Sequence, residues 1–341
     1  MGISHRFARR AAAALAMASV CILAAGCKGE AAPGLHPVTL NEVAHSIFYA
    51  PQYAAMELGY FEEEGIDLTL VNGAGADKVM IAMISGDADI GFMGSEASIY
   101  TYVGGAEDYA VNFAQLTQRA GNFLVGRKEQ PDFSWQDLKG KKVLGGRTGG
   151  MPQMVFEYIL KKNGLDPKTD VAIDQSIDFG LTAAAFPSSD ADYTVEFEPF
   201  ATGLETEGNG AVVASLGVDS GYVPYTAYSA KKSFIEANPE VVQAFTNAIQ
   251  RGLDYVNGHS AAEIAAVIKP QFKETDEAEI AAIVERYKAQ DTWKENTVFE
   301  EESFQLLQNI LEEAGELTGR VPYDDLVTRE FSERAGESSG S

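Results

Sequence analysis

The sequence predicts an α/β fold built as two lobes. Three observations predict it. Strands and helices alternate from Val38 to Tyr102, they alternate again from Lys142 to Ala214, and the chain is too long for one core. Roughly 310 residues remain after a targeting segment, a length that predicts about two lobes. About 45% of the chain is apolar, enough to fill both cores.

The first alternation opens with the apolar segment Val38-Thr39-Leu40-Asn41-Glu42-Val43, which breaks into the small-residue loop Ala44-His45-Ser46. A helix enters at Pro51, continues to Leu58 and stops at Gly59. After the acidic turn Glu62-Glu63-Glu64-Gly65, Ile66 to Val71 alternates as a strand, and Asp77 to Ser85 reads as a helix ended by Gly86. Ile90-Gly91-Phe92-Met93 is a short strand that breaks at Gly94-Ser95 into a third helix. Open parallel sheets bind ligands at the carboxyl ends of their strands. Those ends here are Ala44-His45-Ser46 and Met93-Gly94-Ser95.

Next come two strand-like pieces, Val111 to Leu116 and Asn122 to Val125, around Gln118-Arg119-Ala120-Gly121. Pro131 to Leu138 is a polar turn into a short helix, and Lys142-Val143-Leu144-Gly145-Gly146 is a strand. Gly149-Gly150 leads into a helix from Met151 with Pro152 in its first turn; Val155, Phe156, Ile159 and Leu160 form its apolar stripe, and Asn163-Gly164 closes it. Val171-Ala172-Ile173, Tyr193-Thr194-Val195 and Val212-Val213-Ala214 complete the second unit. Tyr222 to Tyr228 is extended, and helices follow at Pro239–Val256, Ala261–Ile268, Glu277–Ala289 and Phe299–Glu316. Glu333 to Ser341 reads as a polar, disordered tail.

His5, Arg6, Arg9 and Arg10 form a cationic head before an apolar run from Ala11 to Ala25. That run is too short for a bilayer core of about 30 Å and matches a secretory signal. Leu23-Ala24-Ala25-Gly26-Cys27 looks like a lipobox, with Ala24 where leucine is usual and Leu23 one position earlier. Cys27 is then the lipidated N-terminus; ordinary secretion with an incidental cysteine is the alternative. Cleavage discards Cys21, so the mature chain has one cysteine and neither an internal disulfide nor a cysteine-rich metal site.

All 50 acidic residues follow Cys27, and 23 of the 26 cationic residues do, a mature balance of −27. Such a surface argues against nucleic-acid partners and against electrostatic docking on anionic lipid, leaving the acyl chain as the anchor. It leaves an anionic solute open, because screening over about 8 Å lets a local site differ from the global field.

Ala50-Pro51-Gln52-Tyr53-Ala54-Ala55, Glu57 to Glu62, Gly65-Ile66-Asp67-Leu68 and Gly86 to Phe92 together resemble a known family. It is the extracytoplasmic solute-binding proteins of ABC importers, in the branch that binds aliphatic sulfonates, taurine, nitrate and thiamine pyrimidines. Leu138 to Val143 and Glu198-Pro199-Phe200 extend the resemblance over nearly the whole mature chain. It implies two lobes, each a central mixed β-sheet flanked by helices, joined by two hinge crossings with the ligand cleft between them. The expected division is 1–26 signal peptide, 27–37 tether, 38–125 with 225–332 as lobe 1, 126–224 as lobe 2, and 333–341 as tail. Two sequential domains are the alternative.

No catalytic constellation stands out: no Gly-x-Ser-x-Gly elbow, no His-Glu-x-x-His and no Walker loop. One branch of the resembled family makes the thiamine pyrimidine with a cysteine-rich motif, which a chain with a single mature cysteine lacks. Only His45 falls in a strand-end loop. No cofactor and no metal are implied.

Four strand-end loops supply the candidate ligand contacts. Ser46, Phe48 and Tyr49 follow the first strand, where the rings either stack on a planar ligand or staple the next helix. Gly94 and Ser95 open a helix, with Ser95 as N-cap or ligand donor. Arg147, Thr148 and Gly149 repeat that geometry in the second lobe, and Arg147 is placed to clamp an anion. Arg119 reads as an inter-lobe ion-pair residue. Glu196 and Glu198 point to one side of their strand by alternation; the resemblance sets Glu198-Pro199 near the ligand, and a carboxylate there suits N–H donors. Asp178-Phe179 is a further strand-end pair.

The expected protein is a monomeric lipoprotein on the extracytoplasmic face of a cell membrane that hands a small polar solute to an ABC permease and ATPase. The solute reading leans to an aminopyrimidine or related nitrogen heterocycle, with an alkanesulfonate, taurine or nitrate-type anion as the alternative. An enzyme using His45 with Glu196 or Glu198, and a sensor subunit, are the remaining readings.

Overall fold

The computed structural model describes residues 34–177 and 180–339. Two five-stranded mixed sheets organise it. The first sheet has the order β2-β1-β3-β10-β4, from Ile66–Asn72 (β2), His36–Glu42 (β1), Ile90–Gly94 (β3), Thr226–Lys231 (β10) and Ala110–Thr117 (β4). Its first three strands are parallel, and β10 runs antiparallel to β3 and β4. The second sheet has the order β7-β6-β8-β5-β9, from Ala172–Asp174, Lys142–Leu144, Tyr193–Glu196, Phe123–Gly126 and Ala211–Ser215. There β6 is parallel to both neighbours, and β5 is antiparallel to β8 and β9.

Helices α1 (Ala50–Glu57), α2 (Tyr60–Glu63), α3 (Ala76–Ser85) and α4 (Glu96–Val103) connect the first sheet. Helices α5 (Met151–Lys162), α6 (Thr182–Ala185), α7 (Phe200–Thr206) and α8 (Leu216–Ser220) flank the second. After β10 the chain is helical: α9 (Lys232–Ala237), α10 (Pro239–Gly258), α11 (Ala261–Ile268), α12 (Glu277–Ala289), α13 (Glu301–Ala314), α14 (Tyr323–Leu326) and α15 (Glu330–Ser339). Among the described residues no helix is long and apolar enough to cross a membrane.

β10 returns to the first sheet after the whole second sheet has formed, so the first unit is interrupted rather than followed by the second. The two crossings touch: the Val223 amide donates to the Gln118 carbonyl at 2.9 Å. Arg119, expected as an ion-pair residue, instead lies over the Tyr222 ring at 4.2 Å and donates to the Gly217 carbonyl at 3.1 Å. Phe48 is fully buried where the units meet, packed against Phe197, Tyr225 and Tyr287 with ring centres 5.3–5.7 Å apart. Burying such a ring contributes about 2–3 kcal/mol.

Three expected boundaries shift. Residues 123–125 belong to the second sheet, because Phe123 to Val125 pair with Glu196, Val195 and Thr194. His36 and Pro37, assigned to the tether, pair with Ile66 and Asp67 in β1. The tail is a helix through Ser339: Phe331 and Ala335 are buried against the body, and the Ser332 hydroxyl donates to the Phe113 carbonyl at 2.8 Å. An amphipathic decapeptide with apolar residues at i and i+4 orders itself by docking. The signal segment, Cys27, Asp178 and Phe179 lie outside the described residues.

Candidate functional site

A cavity of about 60 Å³ lies between the two units. Its wall comes from strand ends, as an open parallel sheet dictates. Val43, Ala44, Ser46 and Tyr49 follow β1, Gly75 and Ala76 follow β2, Gly94 ends β3 and Glu96 follows it. The second unit contributes Arg147, Gly150, Met151 and Pro152 between β6 and α5, and Phe197 after β8. Tyr225 and Thr226, from the returning crossing, complete it.

The main charged group inside is Glu96, 2% exposed at the first residue of α4. Its Oε2 has no hydrogen-bond partner among the described residues. Leaving a buried acceptor unmatched costs about 1–3 kcal/mol. Burial pushes its carboxyl up to about 7, against the opposing pull of its own amide, of Arg147 and of the Met151 amide. Gly94 gives it room: a methyl built at Gly94 would overlap the Glu96 carboxyl.

Four of the hydroxyls around the cavity have other partners. Ser46 Oγ donates to the Glu198 carbonyl at 2.6 Å, and Ser95 Oγ donates to the Pro224 carbonyl. Thr226 Oγ1 is paired with Thr117 Oγ1 at 2.5 Å, and the Tyr225 hydroxyl donates to Asn122 Oδ1. At the rim, Arg147 Nη2 stands 3.8 Å from Asp77 Oδ1 with both side chains about half exposed. The Tyr100 hydroxyl donates to the Gly149 carbonyl at 3.2 Å.

A family model described as NMT1/THI5 like matches residues 47–262, which span every cavity residue except Val43, Ala44 and Ser46. The chain belongs to the NMT1/THI5-like family. It is 44% identical over 310 residues to the Bacillus subtilis (strain 168) protein named "Putative binding protein YtlA", covering 91% of this chain and 92% of that one. It is 27% identical over 228 residues to 4-amino-5-hydroxymethyl-2-methylpyrimidine phosphate synthase of Aspergillus parasiticus, covering 63% and 65%. In fold it matches the alkanesulfonate-binding protein SsuA of Xanthomonas axonopodis pv. citri bound to MOPS, with a TM-score of 0.70 at 16% identity over 88% and 100% of the chains.

In this NMT1/THI5-like chain, Ser46, Tyr49, Gly94 and Arg147 meet at the cavity wall. The other expected contacts lie elsewhere. Phe48 is the staple rather than the stack. Ser95 makes no side-chain cap, because its backbone is already helical and its hydroxyl turns to Pro224. Thr148 is exposed and donates to Gln175 Oε1 at 2.6 Å, and the Gly149 amide is taken by Gln153 Oε1 at 2.9 Å.

The two strand-end glutamates turn away from the cavity. Glu196 is buried within the second unit, where Thr194 and Thr182 hydroxyls donate to it at 2.5 and 3.1 Å; burial pushes its carboxyl up to about 7. Glu198 is ion-paired with Arg286 of α12 and accepts the Thr202 amide at 2.9 Å. Phe197, between them, takes the cavity-facing position. Alternation set the two glutamates on one side of the strand but could not say which side is the cavity.

His45 also points away. Its Nδ1 is 2.7 Å from Glu42 Oε1, and its Nε2 is 3.0 Å from the Gln271 carbonyl. The fully buried Glu42 further accepts from Gln52 and the Tyr53 hydroxyl at 2.8 Å each. His45 is therefore spoken for by Glu42 and Gln271, and an acid–base pair with Glu196 or Glu198 is not present. Glu96 was the residue missed. It stood in the helix-opening triplet Gly94-Ser95-Glu96, where a first-turn acid reads as a dipole partner; the preceding glycine was the signal for a side chain folded back.

Proposed function

We infer that this protein is an extracytoplasmic solute receptor that captures a small polar organic solute and delivers it to an ABC importer, held at the membrane by lipid on Cys27. The solute class favoured is an aminopyrimidine or related nitrogen heterocycle. One observation carries the reading: a cavity between two strand-end surfaces, walled by Tyr49, Phe197 and Tyr225 and holding a buried carboxyl oxygen without a partner among the described residues. The aromatic faces suit a planar ring, and the free oxygen suits a ring or exocyclic N–H. The two units, interrupted at 118–122 and 216–225, are read as lobes that the solute holds shut for the permease.

A second reading is an alkanesulfonate or similar anion, favoured by Arg147 and the start of α5 on the cavity wall. A pyrimidine-forming enzyme on the same fold is the third, prompted by the relatives named as synthases.

A thermal-shift screen of the mature protein against pyrimidines, other heterocycles, alkanesulfonates and nitrate tests these readings. A solute at 100 times its dissociation constant adds about 2.7 kcal/mol, a rise of several degrees. The receptor reading expects a rise with one class and unchanged solute on recovery. No rise with any class counts against it, and chemically altered solute transfers the case to the enzyme. Release of a Cys27→Ser variant from the membrane fraction is the expected result for the anchor; retention would remove it.

A further inference from the structure

Glu96 has the geometry of a selector. Its carboxyl is buried, folds back over Gly94 and reaches a cavity whose wall belongs to both units. Four nearby hydroxyls have other partners, Ser46 with the Glu198 carbonyl, Ser95 with Pro224, Tyr225 with Asn122 and Thr226 with Thr117, which leaves the Tyr49 hydroxyl on the wall beside Glu96. Among the described residues Glu96 Oε2 is a buried wall atom without a hydrogen-bond partner, and as a carboxylate oxygen it is an acceptor. A solute that satisfies this oxygen must bring a donor.

The same carboxyl bears on the spot an anion would choose. The start of α5, with the Met151 amide, and the Arg147 guanidinium both act on Glu96, so a sulfonate placed there would share those donors with a carboxylate. The other charged and titratable groups around it do not relieve this. Tyr49 and Tyr225 are buried phenols and Tyr100 a half-buried one, all with raised pKa, Asp77 holds Arg147 at the rim, and Glu316 adds a further acid beside Gly149 and Tyr100. Two like charges in a site with little water interact strongly, so an anion must bring a proton for Glu96 with it.

We propose that Glu96 sets the solute class: its carboxyl accepts an N–H from a neutral or cationic planar heterocycle and keeps sulfonates, nitrate and other anions off the start of α5. This rests on the receptor reading and narrows its solute.

Calorimetric titration of the purified wild type, Glu96→Gln and Glu96→Met with 4-amino-5-hydroxymethyl-2-methylpyrimidine and with methanesulfonate, at pH 6 and pH 8, tests it. The wild type should bind the pyrimidine and ignore methanesulfonate at pH 8. Glu96→Gln should weaken the pyrimidine about tenfold and Glu96→Met should abolish it, while both gain methanesulfonate binding. Glu96→Met should melt no lower than the wild type, since it removes a buried carboxyl oxygen that has no partner among the described residues. Methanesulfonate binding by the wild type at pH 8, or pyrimidine affinity unmoved by either variant, would overturn the proposal and leave the receptor standing. Gain of methanesulfonate by the variants without pyrimidine binding by the wild type would keep the exclusion and overturn the heterocycle. No binding of either probe by any of the three proteins overturns it as well, and the receptor reading is then judged by the wider solute screen.

Discussion

The Ser46 hydroxyl donates to the Glu198 carbonyl at 2.6 Å while its oxygen accepts the Phe48 amide at 3.2 Å. One side chain thus caps the turn after β1 and ties the first unit to the second. Ser46→Ala should cost about 1–2 kcal/mol of stability from the lost cap and the unmatched carbonyl. Urea unfolding would read that loss. Solute affinity should fall as well, because one contact holding the two units together is gone. An unchanged urea midpoint would mean that neither bond contributes.

Glu198 and Arg286 form a second tie, between the loop after β8 and α12. Burial raises the Glu198 carboxyl, and the Arg286 charge opposes that rise. Arg286→Met should cost about 2–3 kcal/mol, below the range for fully buried pairs because Arg286 is a third exposed. Glu198→Gln should destabilise less and leave the choice among solutes as it was, since the carboxyl does not reach the cavity. A changed solute class in Glu198→Gln would put that carboxyl in contact with solute.

The pH profile separates two groups whose folded pKa is raised. Glu96 is lifted from 4.5 to about 7 by burial, so the folded state holds its proton more tightly than the unfolded one. Its contribution is fully present below 4.5 and is lost as pH rises through 7. Relative to Glu96→Gln, the wild type should lose stability on the order of 3 kcal/mol at most across that window. His45 is raised chiefly by its hydrogen bond to Glu42. Its contribution is present below 6.5 and fades as pH rises, so the advantage of wild type over His45→Gln should shrink above neutrality. Urea midpoints of the three proteins from pH 4 to 9 would show both trends; parallel profiles would contradict them.

The docked C-terminal helix offers a test of what the polar tail does. Phe331 and Ala335 are buried and Ser332 bonds to the Phe113 and Thr297 carbonyls. Phe331→Ala should cost about 3 kcal/mol. A loss below 1 kcal/mol, read by thermal or urea unfolding, would mean that this helix frays free of α10.

The sheets were legible because strand and helix periods differ and because Gly59, Gly86, Gly94 and Gly149-Gly150 punctuate them. Helices α5, α11 and α12 begin where Met151, Ala261 and Glu277 were read. The cavity was legible only to the resolution of loops. Which of Glu196, Phe197 and Glu198 faces inward depends on how the second sheet is turned toward the first, and that is set by residues far apart in sequence, such as Phe48, Arg286 and Tyr287. The tail misled for a related reason: Phe331 and Ala335 are an apolar pair only once α10 and β4 lie beneath them, and a local count of charges sees none of that.

Gly94 and Glu96 give the sharpest test of how the cavity is built. A methyl at Gly94 would overlap both carboxyl oxygens of Glu96, and the φ there is not one that only glycine adopts, so the need for glycine is spatial. Gly94→Ala must therefore swing the Glu96 carboxyl off its seat or move β3. If the carboxyl swings, the variant should stay folded, with a loss of about 1–3 kcal/mol from overpacking, and should lose most of its affinity for an N–H-bearing heterocycle. Pairing the substitution with Glu96→Gln should then cost little further affinity, because the two changes remove the same contact. Additive losses in that double-mutant cycle would show that Gly94 acts through β3 and not through Glu96.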